Sequence, residues 1–124
     1  MRTIIGVGLA GAVGALTRYG LEGLISERFS GAFPLGTFVI NLSGSFVLGL
    51  LFVIMTERTS VSPALRTSLT VGFVGAYTTF STFSFETVRL IEEGAFAIAA
   101  WNVVATLALG LVAVWAGMSV GRAI

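Results

Sequence analysis

The chain has 124 residues, 56% of them apolar and 10% charged, with seven basic and six acidic side chains and a net charge of +1. It contains no Lys, Asp, His or Cys, which excludes disulfides, thiol and imidazole catalysis and Cys/His metal sites, and leaves no basic surface for nucleic acid. At a mean hydropathy of +0.99 there is too little polar surface to enclose a soluble core, so the composition reads as an all-α integral membrane protein in a single domain, residues 1–124.

A hydrocarbon core of roughly 30 Å takes about 20 helical residues to cross. Four windows meet that length: Thr3 to Ile25, Pro34 to Thr56, Pro63 to Leu90, and Gly94 to Val120. In the first, Met1-Arg2 followed by Ile4 to Leu16 has the look of a signal peptide. The run is rich in Gly, however, and continues through Tyr19 to Ile25 without a clear cleavage site, so it is read as a retained membrane helix. Gly6, Gly11 and Gly14 mark a face where backbones approach closely. Arg18 lies toward the span end, where a long side chain reaches the interface or concentrates anions at a pore mouth.

Ser30 to Pro34 reads as a loop, with Pro34 suited to the first turn of the second helix. That helix places Thr37, Asn41 and Ser45 on one face by i, i+4 spacing. Asn41 lies about a third of the way across, where an unpartnered amide is expensive. A helix–helix hydrogen bond and a polar pathway account for it equally well. Gly44 and Gly49 read as packing positions.

After the loop Thr56 to Ser60, Ser62-Pro63 opens the third helix. Its centre runs Gly72-Phe73-Val74-Gly75-Ala76-Tyr77-Thr78-Thr79-Phe80-Ser81-Thr82-Phe83-Ser84-Phe85-Glu86. Paired Thr, Ser and Gly weaken a helix, and a break is predicted around Gly75 to Thr78. Irregular backbone at membrane depth persists only where protein or a polar cavity covers it, and its freed carbonyls can hold a small cation. Phe80 and Phe83 share a face, with Ser81 and Ser84 on an adjacent one. Such rings are ordinarily core filling. Yet a Phe edge carries the positive part of the ring quadrupole, and a dry core has no use for so many neighbouring hydroxyls. This combination favours an anion route. Glu86, toward the span end, fits that route poorly because a carboxylate repels anions.

Glu92-Glu93-Gly94 makes a short turn that sets the third and fourth helices antiparallel. Trp101 and Trp115 sit toward opposite ends of the fourth, as interfacial aromatics do. Gly110 and Gly117 in this helix read as packing positions. The termini and middle loop carry Arg2, Arg58, Arg66 and Arg122; the other side carries Arg28, Arg89 and, depending on its depth, Arg18. This near balance fits an ordinary weak bias toward termini inside or insertion in both orientations with pairing to an inverted copy; a four-span chain this small can hardly enclose a pathway alone, which favours the second.

Gly14-Ala15-Leu16-Thr17-Arg18-Tyr19, the Gly36 to Gly49 stretch and the Gly72 to Phe83 stretch together resemble the Fluc (CrcB) fluoride channels of microbes. The resemblance implies an antiparallel, dual-topology homodimer in the bacterial inner membrane, with two fluoride pathways built from both chains. It also implies a structural sodium ion in the helix break, held by the carbonyls of Gly75 and Thr78 from both subunits. Phe80 and Phe83 would be the pore-lining rings. Asn41, Ser81, Thr82 and Ser84 would be polar pore groups, with Thr37 further along the same face. Arg18 would be the vestibule arginine, and Asn102 and Thr106 would supply a polar track that Gly110 cannot extend. The implied role is passive export of cytoplasmic fluoride, an ion that enters cells as hydrogen fluoride. The rival reading is a small dual-topology multidrug exporter, which needs a carboxylate deep in the first helix. Glu22 is the candidate, and it lies near the span end beside Arg18. No nucleophile has a base near it in the sequence, so an enzyme is not expected.

Overall fold

The computed structural model describes all 124 residues. The chain is helical from end to end, without strands. Helix α1 covers Arg2–Arg28, and α2 covers Leu35–Val53 and runs into a wide turn, π1, at Ile54–Arg58. Helix α3, Pro63–Thr67, passes through a second wide turn, π2, at Ser68–Val74 into the single turn α4, Gly75–Tyr77. Helices α5, Phe80–Glu92, and α6, Phe96–Ala123, complete the chain.

Three stretches, Arg2–Arg28, Leu35–Arg58 and Phe96–Ala123, are long and apolar enough to cross a membrane, and the chain is a multi-pass membrane protein. The remaining window, Pro63 to Leu90, is interrupted where a break was expected. Thr78 (φ −80°, ψ 157°) and Thr79 (φ −149°, ψ 112°) are both extended, so the backbone leaves the helix after Tyr77 and re-enters it at Phe80. The break falls at the C-terminal edge of the expected stretch, on the two β-branched Thr residues and not on Gly75, which is still helical.

The helix ends follow from local chemistry. The Ser62 hydroxyl accepts the Leu65 N–H at 3.3 Å, and Pro63 occupies the first turn of α3. At the other end of the segment, Gly94 adopts φ +77°. Its N–H donates to the Ile91 carbonyl at 3.0 Å, and the Ala95 N–H donates to that of Leu90 at 2.8 Å. This glycine-centred cap closes α5 and reverses the chain into α6. The wide turns were not foreseen. At π1 the Thr59 N–H reaches the Ile54 carbonyl five residues back at 3.0 Å, and Arg66 donates to the Met55 carbonyl at 3.3 Å. Arg58 donates to the carbonyls of Gly121 and Arg122 and so caps the end of α6.

Packing is governed by small residues. The broadest contact is between α2 and α6. There a side chain at Gly49 would run into the Val114 carbonyl, and one at Gly117 into that of Phe46. Helix α1 packs on π2 and α4, with Gly14 against the Phe73 backbone and Gly72 against Val7 and Ala10. A side chain at Gly110, which was expected to pack, would meet no other part of the chain within 4 Å. Only 21 of 124 residues are buried, while Leu16, Leu111 and Trp115 are two-thirds or more exposed. Apolar surface on that scale requires lipid or further protein to solvate it.

Candidate functional site

The break is built against the middle of α2. The Thr79 N–H, which an unbroken helix would donate to the Gly75 carbonyl, donates instead to Asn41 Oδ1 at 2.8 Å. Asn41 Nδ2 in turn donates to the Thr79 carbonyl at 3.0 Å. One carboxamide thus replaces a peptide group on both sides and satisfies the N–H and the carbonyl of Thr79. Two residues on, the Ser43 and Tyr77 hydroxyls lie 2.8 Å apart, tying the end of α4 to the same helix. Next to Ser43, a side chain at Gly44 would overlap Thr78 and the Tyr77 ring, so α2 bears directly on the extended residues. The Thr78 carbonyl accepts no hydrogen bond. Gly75 is exposed, whereas Thr79 is buried.

Beyond the break, Thr79 acts as the N-cap of α5. Its hydroxyl accepts the Thr82 N–H at 3.2 Å and lies 3.0 Å from Thr82 Oγ1 and 3.3 Å from Ser81 Oγ. The first turn of α5 carries Phe80 and Phe83, whose ring centroids are 5.7 Å apart with planes inclined at 46°. Phe83 is buried, but Phe80 is 75% exposed. The Ser84 hydroxyl donates to the Phe80 carbonyl at 2.9 Å.

A groove of about 270 Å³ runs over this region, lined by Asn41, Ser45, Gly75, Thr78, Phe80, Phe83 and Thr106 among others. It therefore joins residues from α2, from both sides of the break and from α6. Thr82 faces a separate cleft with Glu86 and Arg89. Thr37 donates to Glu86 Oε1 at 2.9 Å, which places that hydroxyl one turn of α2 away from the Asn41 clasp. Arg18 lines neither hollow; its Nε is buried in the chain without a partner. Asn102, 1% exposed, sits behind the groove wall and donates from Nδ2 to Thr87 Oγ1 at 3.0 Å. Thr106 Oγ1 donates to Asn102 Oδ1 at 3.4 Å.

Of the residues singled out in the sequence, Asn41, Gly75, Thr78, Phe80, Phe83 and Thr106 come together in one groove. Ser81 and Ser84 lie near the start of α5 outside its lining, Thr82 faces the separate cleft, and Thr37, Arg18 and Asn102 lie outside as well. Thr79, Thr87 and the Ser43–Tyr77 pair were not singled out. Thr87 was legible in principle, since it follows Phe83 by four residues and so shares its helix face. Thr79 was not, because adjacent Thr residues do not reveal which one the chain turns on.

The family described as CrcB-like protein, Camphor Resistance (CrcB), matches residues 5–118 of this chain. The fluoride-specific ion channel FluC of Geotalea daltonii is 46% identical over 122 residues, covering 98% of each chain. FluC 2 of Geobacillus kaustophilus is 48% identical over 118 residues, covering 95% of this chain and 92% of its own. FluC of Acidobacterium capsulatum is 47% identical over 118 residues, covering 95% of this chain and 94% of its own.

Proposed function

This chain belongs to the CrcB-like family, a family of ion channels and not of enzymes, and from that premise we propose that it is a fluoride channel through which cytoplasmic fluoride leaves the cell passively. The observation that carries the reading is the groove, in which two Phe rings stand beside the clasped break with hydroxyl and amide groups around them. Fluoride holds its hydration shell tightly, so a conducting path must replace water with many modest donors and no single deep trap. Phe80 and Phe83 offer ring edges. Asn41 retains a second N–H beyond the one given to Thr79. Ser81, Thr82, Ser84 and Thr106 add hydroxyls along α5 and α6, and Thr37 extends the line along α2. Arg18 raises the local anion concentration at the mouth without sitting in the path.

The working unit is a homodimer of antiparallel copies in the bacterial inner membrane, with four spans per chain and two pathways. Three features support this. The interrupted segment, Pro63 to Glu92, is long enough to cross once both halves are counted. The groove opens at the chain surface where Gly75 and Phe80 are exposed, so a second copy would close it. The arginines divide almost evenly between the two sides. At the dimer centre a structural sodium ion fits the carbonyls of Gly75 and Thr78: one is deprived of the Thr79 N–H and the other accepts no hydrogen bond. When bound, the ion would supply positive charge that offsets these carbonyl dipoles and ties the two breaks together.

The test is purified protein in liposomes loaded with fluoride or chloride, with efflux followed by ion-selective electrodes. Fluoride should leave far faster than chloride; fluoride efflux no faster than from protein-free liposomes rejects the proposal. A Cys added at the C-terminus should react with an impermeant reagent from both faces of the membrane. Reaction from one face removes the antiparallel arrangement.

A further inference from the structure

Helix α2 grips both sides of the break. On the near side, Ser43 Oγ lies 3.2 Å from the Ile40 carbonyl and 2.8 Å from the Tyr77 hydroxyl. Only one arrangement gives both protons an acceptor: Ser43 donates to the carbonyl, and Tyr77 donates to Ser43. The Tyr77 side chain is 8% exposed, stacked on Phe73 with centroids 6.1 Å apart and planes at 3°, and laid against the bare backbone of Gly44. On the far side, Asn41 Oδ1 holds the Thr79 N–H at 2.8 Å. That N–H shares a planar trans peptide with the Thr78 carbonyl, and the two point in opposite directions. Fixing one aims the other away from Asn41, where it accepts no hydrogen bond. The Gly75 carbonyl belongs to the near side, because it rides on α4, whose last residue is Tyr77. Between the two carbonyls lie the soft torsions about Thr78, so the backbone alone does not fix their spacing. Helix α2 does, through Tyr77 on one side and Asn41 on the other.

We propose that the Tyr77–Ser43 pair is a positioning element for the cation in the break: it sets the spacing of the Gly75 and Thr78 carbonyls and thereby how tightly sodium is held. The inference rests on the sodium site of the proposed function and adds to it two residues that never touch the ion. A cation between two carbonyls gains fully only where both reach it at once. Without the tether, α4 takes several placements along α2, and only a fraction of them present both carbonyls together. The apparent affinity falls by that fraction.

The experiment is the thermal midpoint of the purified protein in detergent over a series of sodium concentrations, with N-methylglucamine chloride holding ionic strength constant. A ligand that binds only the folded state stabilises it according to the ratio of its concentration to Kd. The sodium concentration at which the midpoint starts to climb therefore reports the affinity. Tyr77→Phe keeps the ring and its stack and removes only the donor. Its climb should start at about fivefold higher sodium than in the parent, the weight of one ordinary hydrogen bond. Ser43→Ala removes the acceptor of the same bond and should displace the onset equally, with a lower midpoint throughout because a buried phenol is left unpaired. The double variant should be displaced no further than Tyr77→Phe, since a single bond is lost in all three. A merely structural pair predicts a midpoint lowered equally at every sodium concentration with the onset unmoved, and that result overturns the proposal. So does a double variant whose displacement is the product of the two single ones. Should Tyr77→Phe not assemble, Ser43→Ala decides the matter by the same onset. A parent protein whose midpoint ignores sodium is a different outcome: it removes the sodium site, and this inference with it, while leaving the channel reading in place.

Discussion

Helix α2 makes two contacts of opposite kinds within three turns of each other. Toward α6 it offers Gly49, and the seam is closed by main chain against main chain, with Gly117 seated on the Phe46 carbonyl. Toward the break it offers Asn41, Ser43 and Gly44, and the contact is closed by directed hydrogen bonds to Thr79 and Tyr77. The first kind tolerates no added atom and carries no polarity. The second tolerates no lost polar atom and holds open a backbone that would otherwise coil. In lipid, where apolar surfaces gain nothing by meeting one another, close approach builds the frame, and hydrogen bonds can then be spent on shaping a site.

The largest effect is expected at the seam. Gly117→Val drives a branched side chain into the Phe46 carbonyl, where the backbone of α2 cannot yield. The loss should be about 3 kcal/mol or more, seen as absence of a monodisperse peak in size-exclusion chromatography. A well-assembled Gly117→Val protein would show that the seam is looser than described. Next comes the clasp. Asn41→Leu leaves the Thr79 N–H and carbonyl without partners, at about 1–3 kcal/mol each. The thermal midpoint in detergent should fall, and fluoride efflux should collapse even in the fraction that assembles. Unchanged efflux would assign Asn41 to packing alone.

The rings beside the clasp should show a gentler structural effect and a strong functional one. Phe83→Ile and Phe80→Ile keep apolar bulk but remove the quadrupole. The protein should elute normally while fluoride efflux drops by about two- to tenfold, on the scale of the 0.5–1.5 kcal/mol assigned to each aromatic contact. Normal efflux through both variants would leave the rings as filler and the hydroxyl line to conduct alone. Smallest is Gly110→Ala. With nothing within 4 Å, the added methyl should stabilise α6 by at most about 1 kcal/mol, read from the same thermal melt. A destabilised protein would reveal that a second copy covers Gly110.

The same division explains what could be read from the sequence. The frame was legible: apolar runs located α1, α2 and α6, Pro63 and Gly94 marked their own turns, and the glycines at 14, 49 and 117 lie in the seams. Gly110 misled because a glycine on a lipid-facing or partner-facing surface looks the same in sequence as one in a seam. The site was legible in its membership but less so in its wiring. The cluster of Thr and Ser after Gly75 announced a break, and Asn41 announced a polar contact. Their reciprocal pairing depends on how α2 sits against α4, which no local pattern encodes. Thr87 stayed hidden because a Thr within a regular helix usually bonds back to its own turn, and this one does so while also accepting from Asn102.

The break also bears on the order in which the chain is made. Helix α5 has 13 residues, about 20 Å at 1.5 Å per residue, well short of the hydrocarbon thickness. The helical stretch before the break, from Pro63 to Tyr77, is similarly short. Neither half is a convincing insertion signal in its own right, so the segment enters most readily as one continuous helix, with its backbone groups paired, or together with α6 through the tight Gly94 reversal. The partner that makes the interruption tolerable, Asn41, has by then already been synthesised and threaded. The kink is thus a late event, imprinted by a helix waiting in the bilayer on one that arrives after it.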